Sequence, residues 1–264
     1  MKLNAPGSLN TLNQAQLQQD SLLKKLATAK RINSAADDAA GLQIANQLSS
    51  SINASTQGER NLYDGISLAR VYEQGLQGIN DNLGELNRLA VAAGNGIYNA
   101  QDRAALQAEA DQYTANIQQV IDTTEFAGKK LFDQDGALSF GTGSGSLSFG
   151  TTDVTSGLTA QNIFSIDLSS ADSAAASLGN IQQSLDYIGG LQADAGASIN
   201  SFSSAASNLN GQQIAQSAAR SRIEDLDFAR ASSDKVAADI LANTSVSVSL
   251  QARMQQQQAL NLLS

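Results

Sequence analysis

Residues 62–90, LYDGISLARVYEQGLQGINDNLGELNRLA, decide the fold. Leu62, Ile66, Ala69, Tyr72, Leu76, Ile79, Leu83, Leu86 and Ala90 follow one another by steps of 4, 3, 3, 4, 3, 4, 3 and 4. That is a heptad-like seam with a single three-residue stammer, the pattern of a helix that lies along other helices. The helix is predicted to run from about Leu42 to Ala93, roughly 75–80 Å at 1.5 Å per residue. GNG at 94–96 ends it.

Working outward, the same spacing recurs. Leu106, Ala110, Tyr113, Ile117 and Val120 predict a helix over about Gln101–Thr123. Leu178, Ile181, Leu185, Ile188, Gln192, Ala195, Ile199, Phe202, Ala206 and Leu209 predict another over about Ala174–Arg222. Three such seams bury one another most simply in an antiparallel bundle. Leu62, Ile66, Leu76, Ile79, Leu83, Leu86, Leu106, Ile117, Leu185, Ile199 and Leu209 are its expected packing residues.

Between the helices, Asp133–Ala171 changes character. LSFG at 138–141 and again at 147–150, separated by TGSGS, reads as a β-hairpin at the surface, whose removal should expose little apolar area. A phosphate loop is excluded, because GTGSGS lacks a following Lys-Ser/Thr and a following helix.

The ends are weaker. Leu9, Leu12, Leu22, Leu26 and Ala29 form a broken stripe before Lys30, and Pro6-Gly7 precedes it. The closing SVSVSLQARMQQQQALNLLS has apolar positions but no self-sufficient core face. Such ends should order only when buried against other copies. The expected fold is mainly α: an elongated antiparallel bundle of long coiled-coil-like helices with a small β-hairpin, plus terminal helices that order on assembly. The expected segments are 1–44, 45–223 with the insert at about 133–171, and 224–264.

Composition closes off whole classes of function. The chain has no cysteine and no histidine, so thiolate sites, a Ser-His-Asp triad and an HExxH zinc site are impossible. A net charge of −9 argues against nucleic acid. No apolar run approaches the roughly 20 residues of a membrane span. No cofactor is expected.

One acidic pair invites a catalytic reading. In RINSAADDAAGLQIA (31–45), Asp37 and Asp38 are adjacent, so on a helix they point about 100° apart and do not converge. Ser34 with Asp37 three residues on is a capping box, so Ser34, Asp37 and Asp38 are expected to start a helix. SRIEDLDFA (221–229) carries Glu224, Asp225 and Asp227, which either pair with the basic cluster near Arg31 or stay solvated.

These stretches together resemble bacterial flagellins. RINSAADDAAGLQIA, NLYDGISLARVYEQGLQGINDNLGELNRLAVAAGNG (61–96), TEFAGKKL (124–131), SRIEDLDFA and QARMQQQQALNLLS occur in the family's order and cover about 1–132 and 175–264. The resemblance implies a non-enzymatic subunit of a helical filament. It implies export, without a cleaved signal, through the flagellum's own type III channel to the cell exterior. The implied partners are further copies of the chain, the flagellar cap, hook-associated proteins and a secretion chaperone on the C-terminal segment. A hook–filament junction protein and a surface-binding protein on the same scaffold are the alternatives. In some members an innate immune receptor reads the helix holding LGELNRLAV. The resemblance carries that contact onto Leu89 and Glu109, with Glu85 where the family has arginine. The family's glycine before RINS is here within Thr28-Ala29-Lys30, and its large outer domain is replaced by some forty residues.

Overall fold

A computed structural model describes residues 5–261. The side chains of Leu9 and Leu12 fall outside the described residues. The chain resolves into two compact units, Asn53–Gln213 and the two ends, Met1–Ile52 with Ile214–Ser264.

The central unit is built on three helices. α2 spans Ala39–Ala93, of which residues 53–93 belong here; α3 spans Ala100–Thr123; α5 spans Ala171–Glu224, contributing 171–213. Leu62, Leu76, Ile79, Leu83, Leu86 and Ala90 of α2 are fully buried, as are Ala110 and Ile117 of α3. Ile66 and Leu209 are also buried, while Leu106, Leu185 and Ile199 are only half-buried against the same core.

α5 buries Ile181, Ile188, Ala195, Phe202, Ala206 and Leu209 of its expected seam but departs from it at two positions. Its buried face passes through Ser177 and Ser184, one position before Leu178 and Leu185. A serine is tolerated in a core once its hydroxyl is bonded. Ser184 Oγ donates to Asn180 O at 3.0 Å, and Ser177 Oγ donates to Asp167 O and accepts from Asp167 N. The leucines then cover the flanks.

The turn between α2 and α3 is closed from both sides. Asn99 caps α3, its Oδ1 accepting from Gln101 N and Asp102 N, while Asp102 Oδ2 accepts from Asn99 N at 3.1 Å. With this capping box, α3 starts at Ala100, one residue ahead of the predicted Gln101. Arg103 reaches back to donate to the Ala93 and Asn95 carbonyls at 2.8 and 3.1 Å, satisfying acceptors that the end of α2 leaves open.

After α3 the chain makes two small antiparallel hairpins. β1 (Glu125–Phe126) pairs β2 (Lys129–Lys130) through Ala127 and Gly128, both at positive φ, as a two-residue hairpin turn demands. β3 (Gly136–Gly141) pairs β4 (Ser146–Thr151), with Leu138 opposite Phe149 and Phe140 opposite Leu147. A short helix, α4 (Val154–Ala160), and a single 3-10 turn (Ile163–Ser165) follow; neither was legible as an element in the sequence.

The second hairpin is part of the core, which corrects the expectation that little apolar area depends on it. Phe149 is buried, its ring centroid 5.2 Å from Tyr72; Tyr72 in turn lies 4.8 Å from Phe132. Phe140 packs edge-on against Phe202 of α5 at 5.4 Å. Two glycines of α2 allow this approach. A Cβ at Gly58 would sit 2.4 Å from the Thr142 carbonyl oxygen, and one at Gly75 would sit 2.7 Å from the Phe132 ring. The alternating LSFG repeats thus turn their aromatic residues onto the bundle.

The terminal unit contains two further helices, α1 (Ala5–Thr28) and α6 (Phe228–Asn261), packed on each other. Pro6 falls in the first turn of α1, where its missing N–H costs no bond. Among the described residues no helix is long and apolar enough to cross a membrane.

Candidate functional site

In the terminal unit the first functional question is why its helices leave so much apolar surface open. Leu17, Phe228, Val236, Ile240, Leu241 and Val248 are all more than half exposed. Beside them, Leu17, Leu22, Ala237, Ala238 and Leu241 line an open groove of about 500 Å³ between α1 and α6, with Lys25 and Asp234 among the polar residues lining it. Single exposed apolar side chains are ordinary, but here six large ones lie on the two long helices of one unit. Among the described residues, the unit's buried apolar side chains are Ile32, Ala45, Ala231 and Ala238.

Polar ties hold the pair in register. Gln19 Nε2 donates to Asp239 Oδ1 at 2.6 Å, and Lys235 pairs Asp239 from within α6 at 2.7 Å. The Lys235 ammonium, and then Gln19, hold the Asp239 carboxyl below its ordinary value.

Behind the helices, the two linkers run side by side. Ala29 and Lys30 meet Leu226 and Asp225 in a short antiparallel bridge: Leu226 N donates to Ala29 O at 3.0 Å, and Arg31 N donates to Glu224 O at 2.7 Å. Lys30 also pairs Glu224 through its side chain, and the Arg31 guanidinium donates to Ile223 O at 2.6 Å, at the end of α5. Of the two readings open for SRIEDLDFA, inter-segment pairing holds for Glu224. Ala29 reaches this bridge with φ at +54°, the left-handed region. Ala29 lies within Thr28-Ala29-Lys30, the stretch where the resemblance places a glycine.

Ser34, Asp37 and Asp38 divide their work differently from expectation. α2 starts at Ala39, and Asp38 is its cap, with Oδ1 accepting from Gly41 N at 2.8 Å. Ser34 caps nothing. Residues 34–37 form a preceding turn in which Asp37 N donates to Ser34 O. Asp37 Oδ2 then gathers three donors: Asn33 N at 3.1 Å, Ser34 N at 2.9 Å and Ser34 Oγ at 3.0 Å. The hydroxyl therefore donates to the carboxylate rather than accepting from the helix. Once a tight turn precedes the helix, the cap must be the residue adjoining its first turn, and that is Asp38.

The Asn33 amide first, then Ser34, lower the Asp37 carboxyl from its ordinary 3.8. A carboxylate with a depressed folded pKa stabilises above its unfolded pKa and loses that contribution as pH falls through the folded one. Acid below about pH 4 therefore loosens both the Asp37 turn and the Asp239 tie.

Three residues suggested as receptor contacts lie in the central unit. Glu85 and Glu109 are on the surface, both paired to Arg88, at 2.7 and 3.4 Å. Leu89 is fully buried in the core. It packs the bundle and offers no surface to a receptor.

Sequence reasoning missed Ile32, which is 1% exposed and meets the first turn of α2 where a Cβ at Gly41 would be 2.7 Å from its Cδ1. An isoleucine just after the RINS arginine was the available signal. The linker bridge left none, since it joins positions almost two hundred residues apart.

Residues 3–137 match the bacterial flagellin N-terminal helical region, and residues 178–263 match the bacterial flagellin C-terminal helical region. B-type flagellin of Pseudomonas aeruginosa is 40% identical over 171 residues, 64% of this chain and 32% of that protein. Phase 1 flagellin of Salmonella naestved is 41% identical over 129 residues, 49% of this chain and 26% of that protein. The chain thus spans a third or less of the length of these curated relatives. Among solved structures, Bacillus cereus flagellin matches with a TM-score of 0.51 at 24% identity, over 57% of this chain and 88% of that one. A hook-associated protein of Vibrio parahaemolyticus matches at 0.60 and 14% identity, over 72% and 100%; at such identities the likeness is one of fold. With both family regions matched in order around a short middle segment, the chain belongs to the bacterial flagellin family.

Proposed function

We propose that this chain is the structural subunit that polymerises into the flagellar filament outside the bacterial cell, giving a rigid propeller for motility. The carrying observation is the apolar surface that α1 and α6 leave uncovered, on the two stretches that lie within the family's matched regions. Burial of such surface is the main favourable term in association, at about 25 cal/mol per Å². Stacked copies would cover it.

On this reading residues 1–44 and 224–264 form the inner contact between subunits, and 45–223 the surrounding layer. The packing residues named above make that layer stiff, and the middle segment adds little outward decoration. Export through the flagellar type III channel, a cap at the growing end, hook-associated neighbours and a chaperone on the C-terminal segment belong to the same reading.

The test is seeded polymerisation of the purified full-length chain, viewed by electron microscopy. Long filaments grown from this chain alone support the reading. A chain that only decorates the ends of existing filaments overturns it and favours a hook–filament junction role, for which the likeness to a hook-associated fold is the motive.

A further inference from the structure

The turn between α2 and α3 holds a second kind of chemistry. We infer that Asn95–Gly96 is a self-modification site, at which the folded chain converts Asn95 to aspartate and isoaspartate without an enzyme.

The reaction needs a free backbone nitrogen after an asparagine and room for ring closure. In it, the Gly96 amide nitrogen loses its proton and attacks Cγ of Asn95. A five-membered succinimide forms, and the Nδ2 group leaves as ammonia. Water then opens the ring at either carbonyl, giving aspartate or isoaspartate. The net change is amide plus water to acid plus ammonia, and no oxidant or cofactor enters.

Four observations favour it. Asn95 and Gly96 are both exposed and outside helix. Among the described residues, the Gly96 N–H donates to no group in the turn, whereas its neighbours are engaged: Asn95 N donates to Ala92 O, and Tyr98 N to Asn95 O. A Cβ at Gly96 would meet nothing within 4 Å, so no other part of the chain packs on that side of the residue. Asn95 Oδ1 accepts from Ile97 N at 3.1 Å, which folds the carboxamide back over the Asn95–Gly96 peptide.

The sequence supplies its own control. The other Asn-Gly pair, Asn210–Gly211, lies inside α5, where backbone nitrogens are engaged by i−4 carbonyls and the carboxamide cannot swing onto them.

The product matters because of its neighbour. Arg103 already donates to Asn95 O and Ala93 O, so the new carboxylate arises beside a guanidinium that can pair it. The isoaspartate form does more, adding a methylene to the main chain of a turn that Arg103 clamps at two carbonyls.

The experiment is incubation of the folded full-length chain in mildly alkaline buffer, with peptide mass spectrometry over time. The peptide Leu89–Arg103 should gain the exchange of NH for O at Asn95 and split into aspartate and isoaspartate forms. The Asn210 peptide should stay unchanged while the helices hold. Gly96→Ala, which the open space accommodates, should slow the Asn95 conversion while leaving the circular dichroism spectrum unaltered. Equal conversion at Asn95 and Asn210, retention of the Asn95 amide in the folded chain, or an unaltered rate in Gly96→Ala would each overturn the inference.

Discussion

The central unit and the terminal unit use the same helical vocabulary and reach opposite ends. In the central unit, Leu62, Leu76, Ile79, Leu83 and Leu86 are fully buried on one side of a single helix, and three aromatic rings seal the hairpin onto it. In the terminal unit, Leu241 and Phe228 are each 63% exposed. Charge divides in the same way. Residues 53–213 carry six basic and seventeen acidic side chains, net −11, whereas the ends carry ten and eight, net +2. The difference teaches that one period of apolar residues closes a core only where enough neighbouring elements cover it; on the proposed function, further copies of the chain supply that cover at the ends. The central unit covers its own core and carries the acidic excess, while the ends leave large apolar side chains exposed.

The strongest way to break this comparison is to empty the aromatic junction. Phe149→Ala removes a buried ring that touches Tyr72, and a Phe-to-Ala change in a core costs roughly 3–5 kcal/mol. Urea unfolding of the purified chain should show a lower midpoint for the central unit. An unchanged midpoint would return the hairpin to the status of surface decoration.

The second test sets the units against each other with the same substitution. Leu83→Ala should cost about 2–5 kcal/mol, a large part of the roughly 5–15 kcal/mol a domain has. Leu241→Ala, at an exposed position, should leave the monomer's calorimetric transition within about 0.5 kcal/mol of wild type. Filament yield should then fall for Leu241→Ala even though the monomer is intact. Gln74→Ala, exposed on α2, is the control for both. Similar midpoints for Leu83→Ala and Gln74→Ala would mean that the seam is misassigned.

That seam was legible because a period of three and four is a property of sequence alone. Its partner on α5 was legible at Ile181, Ile188, Ala195, Phe202, Ala206 and Leu209, but was read one residue off at Leu178 and Leu185. Leu178 and Leu185 outrank Ser177 and Ser184 on any hydrophobicity scale, and only the hydroxyl's partners, Asp167 and Asn180, show which side faces inward. In RINSAADD the ingredients of a cap were visible, but the assignment was not. Ser34 and Asp38 are both good capping residues, and the turn between them decides which one serves. The Lys30–Asp225 bridge was out of reach altogether, since pairing between distant linkers leaves no periodic trace.

Asp38 offers a third, smaller test. Asp38→Ala should cost about 1 kcal/mol by loss of the bond to Gly41 N. Ser34→Ala, removing a donor to an exposed carboxylate, should cost less. Helix content followed by far-ultraviolet circular dichroism during urea unfolding compares the two, and a greater loss for Ser34→Ala would restore the capping box as first read.

The smallest effect turns on Ala29, where the linker bends. With φ at +54°, its Cβ meets the left-handed penalty of about 1–2 kcal/mol that glycine avoids. Ala29→Gly removes that strain, but it also frees the unfolded chain, which takes back roughly 0.4–1 kcal/mol. The two terms nearly offset, so the expected gain is a few tenths of a kcal/mol to about 1 kcal/mol, visible as a slightly higher midpoint. Ala29→Val sharpens the sign. A β-branched residue in this region is a true outlier, and its variant should lose stability where glycine gains it. If valine is tolerated as well as glycine, Ala29 is not held in the left-handed region in solution, and the bend between α1 and the bridge at Lys30 must be made by another residue.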